Sequence, residues 1–248
     1  MTSEILERIK QPIPDQLSVT TQTTPVVYFG DFNKASACTI SINPSHCEFY
    51  GNTAVLTGAK KRLVSRKELN RADAEALSQQ EAEEALDYCN KYFRRNPYKT
   101  WFNKYDEFLK PWGLSYYDDS VVHLDLVQWA TTPLWSGLSQ TQRNALLQSD
   151  LPFLKTLLQK KFDRIFLNGK TVVSAVEQHL DLHLTQYKAT FSTHGKNRST
   201  NFTIYHGYYN DSEVIGWSSY LQSIVIPGYE DARQLALIIK ARLESDEK

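Results

Sequence analysis

The sequence predicts a three-layer α/β fold, in a single domain of 248 residues. Three observations carry that prediction. Short β-branched apolar runs alternate with longer amphipathic stretches, most runs end at a turn-forming residue, and no Gly/Ser/Pro-rich linker divides the chain. A hydrophobic fraction of 41% in a chain of this length is enough for a substantial core.

The elements follow in order. Strands are expected at 25–29 and 37–42, where Val, Ile, Thr and aromatic residues cluster before Gly30 and the Asn43-Pro44 turn. Ser78-Gln79-Gln80-Glu81 has the spacing of a capping box and predicts a helix over 82–93. A third strand is expected at 121–127 and a helix at 151–160. The apolar run 163–168 then leads through Gly169 into a helix at 171–180. A strand at 201–206 and an amphipathic helix at 231–243 complete the set. The stretch 58–113 reads as a helical insertion.

Composition narrows the function classes. The 28 basic residues balance 28 acidic ones, which argues against a broadly cationic coat while leaving room for a local patch. Cys38, Cys47 and Cys89 fit a reducing compartment and are too few for a four-thiolate site. With no HExxH or tight His/Cys spacing, no metal ligand set is expected. Glu4 and Glu7 stand where a secretory signal carries cations, and no apolar run is long enough for a membrane span, so a cytoplasmic protein is expected. Asn168-Gly169-Lys170-Thr171 imitates a phosphate-binding loop, but Arg164 stands where that loop needs its first glycine.

Two groups of residues suggest chemistry. Lys60, Lys61, Arg62, Arg66, Lys67 and Arg71 face only Glu68 within one run, a pattern equally readable as a solvated helical surface or as a DNA-backbone footprint. Around Asn43, His46, Glu48-Phe49-Tyr50 and Asp125 come from the ends of apolar runs that a doubly wound sheet brings together. Asn43 is also a common turn former, and Asp125 a common cap or ion-pair partner.

At Ser41-Ile42-Asn43-Pro44-Ser45 the chain resembles the uracil-DNA glycosylase superfamily, on its mismatch and thymine glycosylase side. The motif is similar to the family's GxNPG, with serines in place of both glycines, and His46 falls on the histidine of the related GQDPYH form. His123 to Thr131 resembles the strand that presents a base-reading Asn, with Asp125 at that position. Arg164 to Gly169 is similar to a later family strand and turn. His206 and the segment Trp217-Ser218-Ser219-Tyr220-Leu221 share features of the family's HPSPLS-type loop.

The resemblance implies a uracil-DNA glycosylase-like fold with a central, mostly parallel sheet, no cofactor and no metal, and a monomer that binds DNA. It implies hydrolysis of the N-glycosidic bond of a flipped base to leave an abasic site. Asn43 would position the water and His206 would stabilise the departing base, which makes these two the expected catalytic residues. His46, Phe49, Tyr50 and Asp125 would hold the base. Lys60, Lys61, Arg62 and Arg66 would contact DNA together with Trp217, Ser218, Ser219, Tyr220 and Leu221, with Tyr220 or Leu221 entering the base stack. Ionised Asp only accepts hydrogen bonds, which suits an exocyclic amine and favours a modified cytosine over uracil. Because some members remove glucosylated hydroxymethylcytosine from phage DNA, antiviral defence stands beside DNA repair as a role. The alternatives are a uracil or mismatch repair glycosylase and a catalytically silent nucleic-acid-binding module.

Overall fold

The computed structural model describes residues 2–193 and 199–245. Six strands, β1 (Ala37–Ser41), β2 (Val121–Asp125), β3 (Arg164–Asn168), β4 (Thr185–Ser192), β5 (Ser199–Tyr209) and β6 (Ser212–Trp217), form a sheet in the order β2-β1-β3-β6-β5-β4. The helices are α1 (Thr2–Lys10), α2 (Gln79–Asn90), α3 (Lys99–Leu109), α4 (Gln140–Leu157), α5 (Lys170–Leu180) and α6 (Tyr229–Glu244). β3 runs parallel to both β1 and β6, while β5 is antiparallel to β4 and β6. The expected three-layer α/β class, with a mostly parallel central sheet, is the one the chain adopts. β1 is buried at every position and β3 at all but its first, as parallel strands covered on both faces must be.

The chain divides into two compact units. The first comprises Met1–Asn33, Ile42–Tyr98 and Val122–Lys160; the second comprises Lys34–Ser41, Lys99–Val121 and Lys161–Lys248. Of the helices expected within 58–113, α2 belongs to the first unit and α3 to the second.

In the first unit, α1 buries Ile5, Leu6 and Ile9 on one face. α2 begins with the capping box that Ser78 and Glu81 predict. Val127, Trp129, Leu138 and Leu146 form an apolar cluster beneath the segment that leaves β2. That segment is also held by charge. Arg8 Nη2 lies 2.7 Å from Asp150 Oδ1, and the two side chains are 6% and 0% exposed. Asp150 also accepts the main-chain N–H of Gln128 at 2.7 Å. Burial pushes the Asp150 carboxyl up and the guanidinium opposes that shift, so the pair is held by mutual dependence.

In the second unit, Trp217 is fully buried with its ring 4.2 Å from that of Phe108 on α3. A Cβ added at Gly216 would meet Val173 of α5 at 2.7 Å, so the strand-to-helix spacing there admits only hydrogen. Gly169, at φ +95°, makes the tight exit from β3 into α5 that the sequence predicts.

Several expected elements differ in extent. Residues 25–29 form no strand: Pro25 has no N–H to give, and a single bridge joins Phe29 to His123 before Gly30 turns the chain at φ +104°. The helix expected at 151–160 begins at Gln140, where Ser139 and Gln142 make a second capping box, and it carries Pro152 inside it. β4 and β6 were not anticipated. β4 is exposed at most positions and so lacks an apolar run, and the Asn210-Asp211 turn between β5 and β6, with φ +47° and +64°, is an unrecognised hairpin signal.

Arg8→Leu leaves Asp150 buried without its partner, and such losses cost about 3–5 kcal/mol. Urea unfolding of the variant is expected to show a destabilisation of that size; a change below about 1 kcal/mol would show that the pair does not anchor the unit.

Candidate active site

The site builds from the turn that leaves β1. In the first unit the main-chain N–H of Val127 donates to the carbonyl of Ile42 at 3.0 Å, joining this turn to the segment that follows β2. The Asn43 side chain strengthens the joint. Its Nδ2 donates to Trp129 O at 3.1 Å, to Thr131 Oγ1 at 3.3 Å and to Pro44 O at 3.2 Å. Carbonyls only accept, so the amide nitrogen must face Trp129 and the carbonyl oxygen must face away. Asn43 Oδ1 has no partner among the described residues, which leaves a rigidly held acceptor.

Ser45 caps the short 3-10 turn His46–Glu48 by accepting the N–H of Cys47 at 3.2 Å. The turn places Glu48 indoors, at 3% exposure. Tyr92 donates its hydroxyl to Glu48 Oε2 at 2.6 Å. Burial pushes the Glu48 carboxyl up to about 7, and the negative charge of Asp125 adds to this against the hydrogen bond from Tyr92 and the cation of Arg62. Burial, followed by the charge of Glu48, also holds the Tyr92 phenol well above its ordinary range.

Asp125, at the end of β2, is 4% exposed. Its Oδ1 accepts no hydrogen bond, although His123 Nε2 stands 3.5 Å away. Arg62 Nη1 donates to Cys47 O at 2.6 Å, and its guanidinium lies 5.0 Å from the centre of the Tyr98 ring. The first unit thus holds a fixed carboxamide, a carboxyl pushed up to about 7 and a buried carboxylate oxygen that accepts no hydrogen bond. Perturbed, enclosed groups of this kind mark functional sites.

Other expected residues of this unit are placed differently. His46 is half-buried, with Nε2 3.7 Å from Cys47 Sγ. Phe49, expected to cover a base, is 1% exposed and belongs to the core. Tyr50 is half-buried and donates its hydroxyl to Thr21 O at 3.0 Å. The basic run is divided, with Lys60 and Lys67 exposed and Arg66 buried, so Arg66 is corrected as a DNA contact. Arg66 is fully buried and donates to the carbonyls of Gln11, Thr23, Ala72 and Glu75. Lys61 pairs with Glu68 and Glu84, each at 3.4 Å, and Arg62 is committed to Cys47 and Tyr98. Lys60 remains exposed.

In the second unit, His206 sits within β5 opposite Ile215, with Nε2 3.3 Å from Glu213 Oε1. Glu213 pairs with Arg164 at the start of β3, at the opposite end of the strands from Asn168 and Trp217. The expected placement of His206 is therefore corrected: it lies within a β-hairpin beside Glu213, where a loop histidine was expected. Trp217 and Leu221 are fully buried, so neither is a DNA contact. Ser218 is tied to Thr203, accepting its N–H on Oγ and donating its own N–H to the Thr203 carbonyl, both at 2.9 Å. Ser219 is half-buried, and Tyr220 is 38% exposed with its hydroxyl 3.2 Å from Trp101 Nε1.

Sequence reasoning missed two residues of these clusters. Asn168 donates to Ser41 Oγ at 3.4 Å and to Gln222 Oε1 at 3.2 Å, and accepts the N–H of Leu221 at 3.0 Å, which fastens the ends of β1 and β3 to the loop after β6. Glu48 was noticed only as the neighbour of two aromatics; its signal was a lone acid directly behind a turn and ahead of an apolar residue.

No protein-family model matches the chain, and no curated protein is significantly similar to it.

Glu48 also makes stability depend on pH. Its folded value of about 7 lies above the ordinary 4.5, so between those values the folded chain holds the proton that the unfolded chain releases. Stability is lost as pH rises through that window, by about 3 kcal/mol in all. Glu48→Gln removes the effect. Chemical denaturation at a series of pH values should show the variant gaining on the wild type by that amount; a constant difference would contradict the buried, protonated state.

Proposed function

We propose that the protein is a monofunctional DNA glycosylase that hydrolyses the N-glycosidic bond of a flipped pyrimidine, with a modified cytosine as its preferred base. The observation that carries this reading is Asn43, whose two amide hydrogens are shared among three acceptors while its oxygen has no partner among the described residues. A carboxamide oxygen so held accepts a hydrogen from water and aims the water oxygen at the sugar C1′ as the bond to the base lengthens. Its contribution is orientation and electrostatic stabilisation, since an amide is too weak a base to take the proton. The similarity of Ser41–Ser45 to the glycosylase motif suggests the reaction, and Asp125, a buried acceptor without a hydrogen bond, suggests an amine-bearing base.

On this reading the protein acts as a cytoplasmic monomer on genomic or phage DNA, and no described helix is long and apolar enough to cross a membrane. In the second unit, Tyr220 and Ile224 are the exposed large side chains of the loop after β6, Ile224 at 90%, while Leu221 is buried.

Duplexes identical except for one target base test the proposal. Mass spectrometry should find free base and abasic DNA from cytosine, hydroxymethylcytosine or its glucosylated form, ahead of uracil and mismatched thymine. No release from any duplex would overturn it, and retained DNA binding without product would favour a binding module. Asn43→Ala should slow single-turnover release by about 10²-fold or more while thermal unfolding stays cooperative; release at the wild-type rate would remove Asn43 from the mechanism.

Asp125→Asn supplies a donor that the carboxylate lacks, so it is expected to slow release of amine-bearing bases and raise release of uracil. Unchanged relative rates for the two classes would show that Asp125 does not read the base.

A further inference from the structure

We propose that Glu48 is the general acid of this site, delivering its carboxyl hydrogen to ring nitrogen N3 of a cytosine-type base whose exocyclic amine is held by Asp125. The inference rests on the glycosylase reading and adds a chemical reason for the substrate class.

The geometry begins with burial. Glu48 is 3% exposed and its Oε2 already accepts the Tyr92 hydroxyl at 2.6 Å, so the other oxygen is the one that carries a transferable hydrogen. The groups around it are Tyr92 after α2, Arg62 and Tyr98 from the segments flanking that helix, and Asp125 of β2 with His123 beside it. Among the described residues Arg62 is the cation that acts on Glu48; its Nη1 donates to the Cys47 carbonyl and its guanidinium lies over the Tyr98 ring, while its buried Nε makes no hydrogen bond. Burial and the charge of Asp125 prevail, and the carboxyl keeps its proton up to about pH 7. Asp125 Oδ1, buried and accepting no hydrogen bond, is a second and independent sign that something absent from the chain completes the cluster.

The chemistry asks for such an acid. Uracil departs as an anion spread over two carbonyls, whereas cytosine has one carbonyl and an electron-donating amine and is a poorer leaving group. A hydrogen passed from Glu48 to N3 lets the C1′–N1 pair withdraw into a ring that leaves neutral. Water aligned by Asn43 adds to C1′, its surplus proton passes to solvent, and Glu48 is reprotonated from solvent. The products are an abasic site and the free base. The same arrangement rejects uracil, because the Glu48 hydrogen would meet the N–H at N3 rather than a lone pair.

Single-turnover release from duplexes bearing cytosine, hydroxymethylcytosine or uracil, followed against pH, tests the inference. Wild-type release of the cytosine bases is expected to fall about tenfold per pH unit above about 7. Glu48→Gln, which keeps an acceptor for Tyr92, should slow that release by roughly 10²–10⁴-fold and flatten the profile. Infrared difference spectra of the wild type should show a protonated-carboxyl band that titrates near 7 and is missing in the variant, a readout independent of turnover. If the wild type releases no base from any duplex, the glycosylase reading falls and this inference with it. If it releases cytosine bases while Glu48→Gln keeps the wild-type rate and pH profile, the general acid alone falls. Release confined to uracil, or absence of the titrating band, overturns it as well.

Discussion

The buried ion pair between Arg8 and Asp150 is the constraint on which the first unit depends. It fixes a segment that has no regular structure of its own, the run from Leu126 to Thr131 after β2, by placing a carboxylate against the N–H of Gln128. Most of what orients Asn43 comes from that segment: the carbonyl of Trp129, the hydroxyl of Thr131 and the N–H of Val127 that holds the neighbouring Ile42, beside the local contact to Pro44 O. A helix at the chain's start therefore governs the angle of an amide in the site, through a contact whose removal leaves a bare charge indoors.

The electrostatics of this unit run opposite to what its sequence suggests. A segment dense in lysine and arginine satisfies main-chain carbonyls and local carboxylates, with Arg66 alone serving four carbonyls. The acids do the reverse: Glu48 and Asp125, unremarkable among 28 acidic residues, sit in the interior without a full complement of partners. Arg66, bonded to four carbonyls, acts as a staple, whereas burial pushes the Glu48 carboxyl up to about 7.

Much of the fold was legible because local signals and burial agreed. β1, β2 and β3 are apolar runs buried on both faces, α2 announces itself by a capping box, and Gly169 marks the turn that its positive φ requires. The sites of failure have physical reasons. β4 is exposed at five of its eight positions, and its inward set is only Tyr187, Ala189 and Phe191, too weak an alternation to stand out from the surrounding sequence. Charge runs and aromatic residues say nothing about direction, which is why Arg66, Trp217 and Leu221 read as surface groups and prove to be core. The turn at Asn43 was legible, but the burial of Glu48 was not, because it depends on Tyr92 arriving from a helix more than forty residues downstream.

The division of the basic run bears on how such a protein meets its target. A chain of zero formal charge exerts no net pull on a polyanion, and of its basic run Arg66 is sealed, Lys61 is ion-paired and Lys60 and Lys67 are exposed. For a protein acting on DNA, this trades speed of encounter for freedom of movement. Collisions of such a protein would not be hastened by net attraction, nor would it be detained on every stretch of duplex, and residence would rest on short-range fit at one nucleotide.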